Sequence, residues 1–125
     1  MSLSVLCAVA AAGAVGATCR LLLATALRAA SGSFPYDTLV VNLVGCLLFG
    51  ICMGLGAVQW QTPVRAAVVT GFLGAFTTFS AFAGDCAQLL DQGRWWALLG
   101  NVAMQNGLGI LAVVAGAAAA STLRG

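Results

Sequence analysis

Four apolar stretches dominate this chain, at 3–27, 38–58, 65–90 and 96–120, with short polar segments between them. Each is long enough to cross a bilayer, which takes roughly 20 apolar residues. Inside hydrocarbon every backbone N–H and C=O must be satisfied within the protein, and runs of this length achieve that as helices. The expectation is an all-α membrane protein, with one four-helix transmembrane domain occupying residues 1–125. Charge closes the soluble alternative. Only 6% of the residues are charged, against about 25% in a soluble domain, so a water-facing surface cannot be assembled. No room is expected for a soluble domain, linker or tail.

The first run has Ala-rich stretches that look like a cleavage site, but it lacks a positive leader segment and runs too long for a secretory signal. It is expected to be a retained helix, with Gly13 and Gly16 giving a smooth face for close packing. Arg20 has two readings: it snorkels at a helix end, or its guanidinium faces a vestibule that attracts anions. Ser31, Gly32, Ser33 and Pro35 mark the first loop. In the second run Asn42, Gly45, Cys46, Phe49 and Met53 share a face, and Gly50 and Gly54 form a small-residue pair for helix contact. Trp60, Trp95 and Trp96 anchor the chain at the membrane interfaces. In the fourth run Asn101 and Gln105 share a face, with Asn106 beside them.

The chain has no His, Lys or Glu. Its three carboxylates, Asp37, Asp85 and Asp91, stand apart from any catalytic partner, so an enzyme is not expected. Cys7, Cys19, Cys46, Cys52 and Cys86 show no metal-binding spacing and read as free, buried thiols. A net charge of +2 without a basic patch excludes nucleic acid as a partner. With four helices, Arg65 and Arg124 fall on the side of the N-terminus, and Arg28 and Arg94 on the other. Leaving Arg20 aside, that is two against two, too even for the positive-inside rule to fix an orientation. A chain that inserts both ways up invites an antiparallel homodimer, and four short helices would struggle to enclose a pore alone.

The segment 70–85, TGFLGAFTTFSAFAGD, is the exception within the apolar runs. Gly, Thr, Ser and Phe at membrane depth imply a broken helix or a polar wall. The groups available there and nearby are neutral donors: the hydroxyls of Thr77, Thr78 and Ser80, and the amides of Asn42, Asn101, Gln105 and Asn106. Phe79 and Phe82 project from nearly one face, and a phenyl edge carries partial positive charge. Such a lining suits a small anion that must be bound well enough to lose its water and weakly enough to leave. The competing reading makes Phe72, Phe76, Phe79 and Phe82 packing or lipid-facing residues. Small four-helix antiparallel exporters of cationic drugs have a similar size and topology, but they rely on an embedded carboxylate for proton exchange. The absence of Glu argues against that class.

Three motifs, GATCR (16–20), TLVVNLVG (38–45) and TGFLGAFTTFSAF (70–82), stand in an order and spacing that resemble the Fluc/CrcB fluoride channels over nearly the whole chain. The resemblance implies a passive, fluoride-selective channel of the cell inner membrane that lowers fluoride toxicity by export. It implies a dual-topology antiparallel homodimer embedded in membrane lipid, with the third helix broken near its middle. Asn42, Phe79, Phe82, Thr78 and Ser80 would line the fluoride pathway. Gln105 would extend it and Arg20 would sit at its vestibule. Backbone carbonyls of Gly74 and Thr77 from both subunits would hold a structural Na+ at the dimer axis. The chain departs from the family in having Ala75 after Gly74, Ala81 after TTFS, and carboxamides rather than hydroxyls on the fourth helix. Two further readings remain open: a small multidrug or metabolite exporter, and a subunit that requires an oppositely oriented paralogue.

Overall fold

The computed structural model describes residues 1–29 and 32–124, and among these it is helical with no strand. Four helical stretches are long and apolar enough to cross a membrane: Leu3–Arg28, Tyr36–Gly54, Thr62–Asp91 and Trp95–Ser121. The first two are α1 and α2, and the last is α6. The third span is composite. It opens with α3 (Thr62–Arg65), passes through a π-helical stretch Ala66–Leu73 and α4 (Gly74–Phe76), and ends in α5 (Phe79–Asp91). Of the residues read as breakers in the first loop, Ser31 lies outside the described residues.

The helix ends follow local chemistry. α5 stops where Gly93 takes φ +67°, a conformation that costs glycine little. The N–H of Gly93 then donates to Leu90 O at 2.9 Å and that of Arg94 to Leu89 O at 2.8 Å, so the last turn's carbonyls are satisfied. α2 ends at Gly54, short of the expected residue 58. Gly56 is left-handed at φ +77°, and Ala57–Gln59 form a separate 3-10 turn. Pro63 lies in the first turn of α3, where its missing N–H is no loss.

The four arginines outside Arg20 tie down the two ends of the bundle. At one end Arg124 Nη2 donates to Gln59 Oε1 at 3.1 Å and Arg65 Nη1 to Val58 O at 3.3 Å. At the other, Arg94 donates to the carbonyl and hydroxyl of Ser33, and Arg28 Nε pairs with Asp37 Oδ2 at 3.2 Å. The even division of charge read from the sequence is therefore a division in space.

Glycine sets how closely the spans approach. A Cβ placed on Gly50 or Gly54 would overlap the carbonyls of Val113 or Ala117 on α6, and one on Gly116 would come within 2.5 Å of Leu47 O. α2 and α6 thus pack backbone to backbone, and theirs is the largest helix contact in the fold. The same holds where α1 crosses the π-helical stretch. A Cβ on Gly16 would overlap Phe72 O, and one on Gly71 would lie 2.8 Å from Val9 O. Without a hydrophobic drive between helices in lipid, such close backbone approach is what helix association relies on. Outward-facing Leu21, Leu22, Ile110 and Leu111 are left uncovered by protein, as the lipid-facing surface of a bundle should be. All five cysteines are free, as read from the sequence, but Cys7 is exposed and the others are only partly covered. The expectation of fully buried thiols is corrected on that point.

Candidate functional site: an amide-clamped turn in the third span

The site begins with two residues that are not helical. Thr77 has φ −82°, ψ 160° and Thr78 has φ −150°, ψ 109°, both extended, between the end of α4 and the start of α5. Extended backbone within a membrane span frees groups that a helix would have paired. Asn42, near the middle of α2, takes up those of Thr78 on both sides. Thr78 N–H donates to Asn42 Oδ1 at 2.8 Å, and Asn42 Nδ2 donates to Thr78 O at 3.1 Å. The second Nδ2 proton goes to Gln105 Oε1 at 3.1 Å. Leaving a polar backbone group unpaired away from water costs about 1–3 kcal/mol, and the clamp pairs both groups of this half-buried turn.

The turn also redirects donors from two carbonyls. In a continuous helix Thr78 N–H would serve Gly74 O and Ala81 N–H would serve Thr77 O. Here Thr78 N–H goes to Asn42, and Ala81 N–H goes to Thr78 Oγ1 at 3.2 Å. That second bond makes Thr78 the N-cap of α5. Thr77 turns the other way, with N–H and Oγ1 both donating to Leu73 O at 3.1 Å. Gly74 and Thr77 border a cavity of about 230 Å³ together with Gly45, Phe49, Val69 and Val113, and Gly74 itself is exposed.

A second cavity of about 230 Å³ adjoins the turn, lined by Asn42, Thr77, Thr78, Phe79, Phe82, Gln105 and Asn106 among others. The Phe79 and Phe82 rings meet edge to face, centroids 5.5 Å apart and planes at 62°. Phe79 is 77% exposed, whereas Phe76 is buried and stacks on Phe72 at 5.7 Å. The four phenyls therefore separate into an inner packing pair and an outer pair at the cavity. Ser80 Oγ lies 3.3 Å from Thr78 Oγ1 at its edge. Arg20 is not at a helix end, since α1 runs on to Arg28. It lines a third cavity of about 390 Å³ with Arg28, Asp37, Thr38, Val41, Thr78 and Ala81, so Thr78 is common to the phenyl cavity and the arginine cavity.

Cys46 is a lining residue that the sequence reading does not single out for the site, whereas Asn106 is among the amides it does name. Cys46 borders both 230 Å³ cavities, one turn beyond Asn42, and its place on the Asn42 face was the available signal. Asn106 lines the phenyl cavity, while its Nδ2 donates to Val102 O at 2.8 Å.

The family model of the CrcB-like proteins, described as Camphor Resistance (CrcB), matches residues 7–117. The chain belongs to the CrcB family. All of the residues just described fall inside that match. Among similar proteins is a "Fluoride-specific ion channel FluC" of Solidesulfovibrio magneticus, 43% identical over 113 residues, covering 88% of this chain and 90% of the relative. Another of that name, from Deinococcus radiodurans, is 44% identical over 108 residues, covering 83% and 85%. A "Fluoride-specific ion channel FluC 2" of Symbiobacterium thermophilum is 43% identical over 111 residues, covering 86% and 90%. In this CrcB chain the amide-clamped turn lies within the third span.

Proposed function

We propose that this CrcB chain is a passive fluoride channel that lets the anion leave the cytoplasm across the inner membrane. The observation that carries the reading is the cavity beside Thr78. Its lining offers the Asn106 amide, whose second proton is uncommitted, threonine hydroxyls and phenyl edges, with no carboxylate among the residues around it. Neutral donors aimed at a small anion balance its hydration without holding it as a full charge would. The names of the relatives support fluoride as that anion. Phe79, Phe82, Thr78 and Ser80 line the pathway in this reading. Asn42 and Gln105 border it, and Arg20 draws anions toward Thr78 from the adjoining cavity. A proton-coupled exporter has no support, because the same lining has no carboxylate to carry the proton. A fluoride electrode following efflux from reconstituted liposomes is the direct test. Fluoride is expected to leave rapidly and chloride to stay behind; equal fluxes of the two would reject the selectivity.

The phenyl pair gives a sharper expectation. Phe79→Ile or Phe82→Ile keeps bulk and hydrophobicity but removes the positive ring edge. Each is expected to slow fluoride efflux by at least tenfold with thermal stability little changed. Wild-type flux in both variants would return the rings to a packing role.

The working unit proposed is an antiparallel homodimer built from a broken third helix in each subunit. The even placement of arginine at the two ends supports insertion in both orientations. Exposed Gly74 and the cavity beside it offer a flat face for a second copy. Carbonyls of Gly74 and Thr77, whose helical donors are spent elsewhere, fit a monovalent cation such as Na+, which takes oxygen ligands without needing charge. When bound it would add positive potential near the dimer axis. Labelling a cysteine introduced before Leu3, in a background free of other cysteines, is expected to react from both sides of the membrane. Reaction from one side only would favour a pair of differently oriented paralogues.

A further inference from the structure

Between α5 and α6, two side chains next to the site each end in an unused polar atom. Asn101 is completely buried, at 0% exposure. Its Nδ2 donates to Cys86 Sγ at 3.5 Å, and its Oδ1 has no hydrogen-bond partner among the described residues. One turn further along α6, Gln105 gives its Oε1 to Asn42, and its Nε2 is likewise buried and unpartnered. Residues four apart in a helix stand on one face, with Cβ atoms about 5–6 Å apart. The two amides are each oriented by their other half, Asn101 by Cys86 and Gln105 by Asn42. What remains, one helical turn apart, is one buried acceptor without a donor and one buried donor without an acceptor.

We infer that Asn101 and Gln105 form the seat of a single buried water molecule, which accepts from Gln105 Nε2 and donates to Asn101 Oδ1. The chemistry of the two atoms selects the occupant. An anion could satisfy Nε2 but would face the lone pairs of Oδ1, and a cation could satisfy Oδ1 but would face the protons of Nε2. Only a small neutral molecule that both accepts and donates satisfies the two together. Buried waters in proteins hold such positions with two to four polar partners. The water extends the clamp into a chain that runs from Cys86 through Asn101, the water, Gln105 and Asn42 to the Thr78 backbone. Gln105 is then held at both ends of its amide, and Asn101, which does not line the phenyl cavity, becomes a positioning residue for it. The inference stands whether or not fluoride is the ion conducted.

An experimental structure of the full chain at a resolution that shows ordered water, solved with and without fluoride, tests it. A peak within hydrogen-bond distance of Asn101 Oδ1 and Gln105 Nε2 is expected in both conditions. A peak that appears only with fluoride overturns the assignment, because it requires Asn101 to have turned and presented Nδ2 to an anion. Direct hydrogen bonding of the two amides with no peak between them overturns it as well. In Asn101→Leu the peak is expected to vanish, and its persistence would show that Asn101 does not share the water. Should that variant fail to fold, the paired wild-type structures decide alone. Liposome flux on the same wild-type preparation reports on the channel reading separately.

Discussion

Replacing Asn42 with leucine is expected to abolish fluoride efflux and to destabilise the protein by about 2–5 kcal/mol, the cost of stranding the Thr78 N–H and C=O in a half-buried turn within a membrane span. The size of the effect follows from the number of tasks on one amide: an acceptor for Thr78 N–H, and donors to Thr78 O and Gln105 Oε1. Leucine preserves the volume and removes all three. Asn42→Asp separates the contributions. It retains the acceptor for Thr78 N–H but sets a negative oxygen against the Thr78 and Gln105 oxygens. The turn is then expected to survive in part while flux is lost. Thermal unfolding in detergent and electrode-measured efflux give the two readouts. Efflux above half of wild type in Asn42→Leu would mean that the extended turn does not depend on this residue.

The second large effect is expected at the α2–α6 contact. Gly50→Ala drives a methyl group into the Val113 carbonyl, and Gly116→Ala drives one against Leu47 O. Because the obstructing atoms are backbone, relief requires the helices to move apart rather than a side chain to rotate. Each substitution is expected to cost about 1–3 kcal/mol, and the two together should prevent recovery of folded protein. Gly100 and Gly107 supply the contrast, since a Cβ at either meets nothing within 4 Å. Alanine there is expected to be neutral or mildly stabilising, for glycine in a helix costs roughly 0.5–1 kcal/mol relative to alanine. Thermal aggregation of detergent-purified protein would rank the four variants. Similar behaviour at all four positions would indicate that the helix contact is looser than described.

Much of this is legible in the sequence, because lipid makes simple demands. Length and hydropathy mark the four spans, and the glycine pair at Gly50 and Gly54 does make a close helix contact, though only the fold shows α6 to be the partner. The run of small and hydroxyl residues around Thr77 and Thr78 singled out the stretch where the backbone becomes extended. Other features left no trace. Nothing in AAVVTGFL separates a π-helical stretch from an α-helical one, since every residue suits either. Asn42 was readable as a polar residue facing inward, but not as a clamp, because its partners stand 36 and 63 positions away. The separation of four phenylalanines into an inner stack and an outer pair also depends on a turn that changes direction between Phe76 and Phe79. Local spacing could not convey that.

The start of α5 at Phe79 has an electrical consequence. A helix that begins inside the membrane brings its aligned peptide dipoles to an end there, equivalent to roughly half a positive charge. Water would screen most of that field at a surface, but low-dielectric surroundings preserve it. The Phe79 side of the cavity thereby receives a positive contribution from the main chain, independent of any basic side chain and opposed by the negative end of the helical stretch that stops at Phe76. No change of protonation can switch it off, and no passing anion can form with it the tight ion pair that an arginine or lysine would offer. Attraction without capture is a condition for throughput, and here it is written into the peptide units themselves.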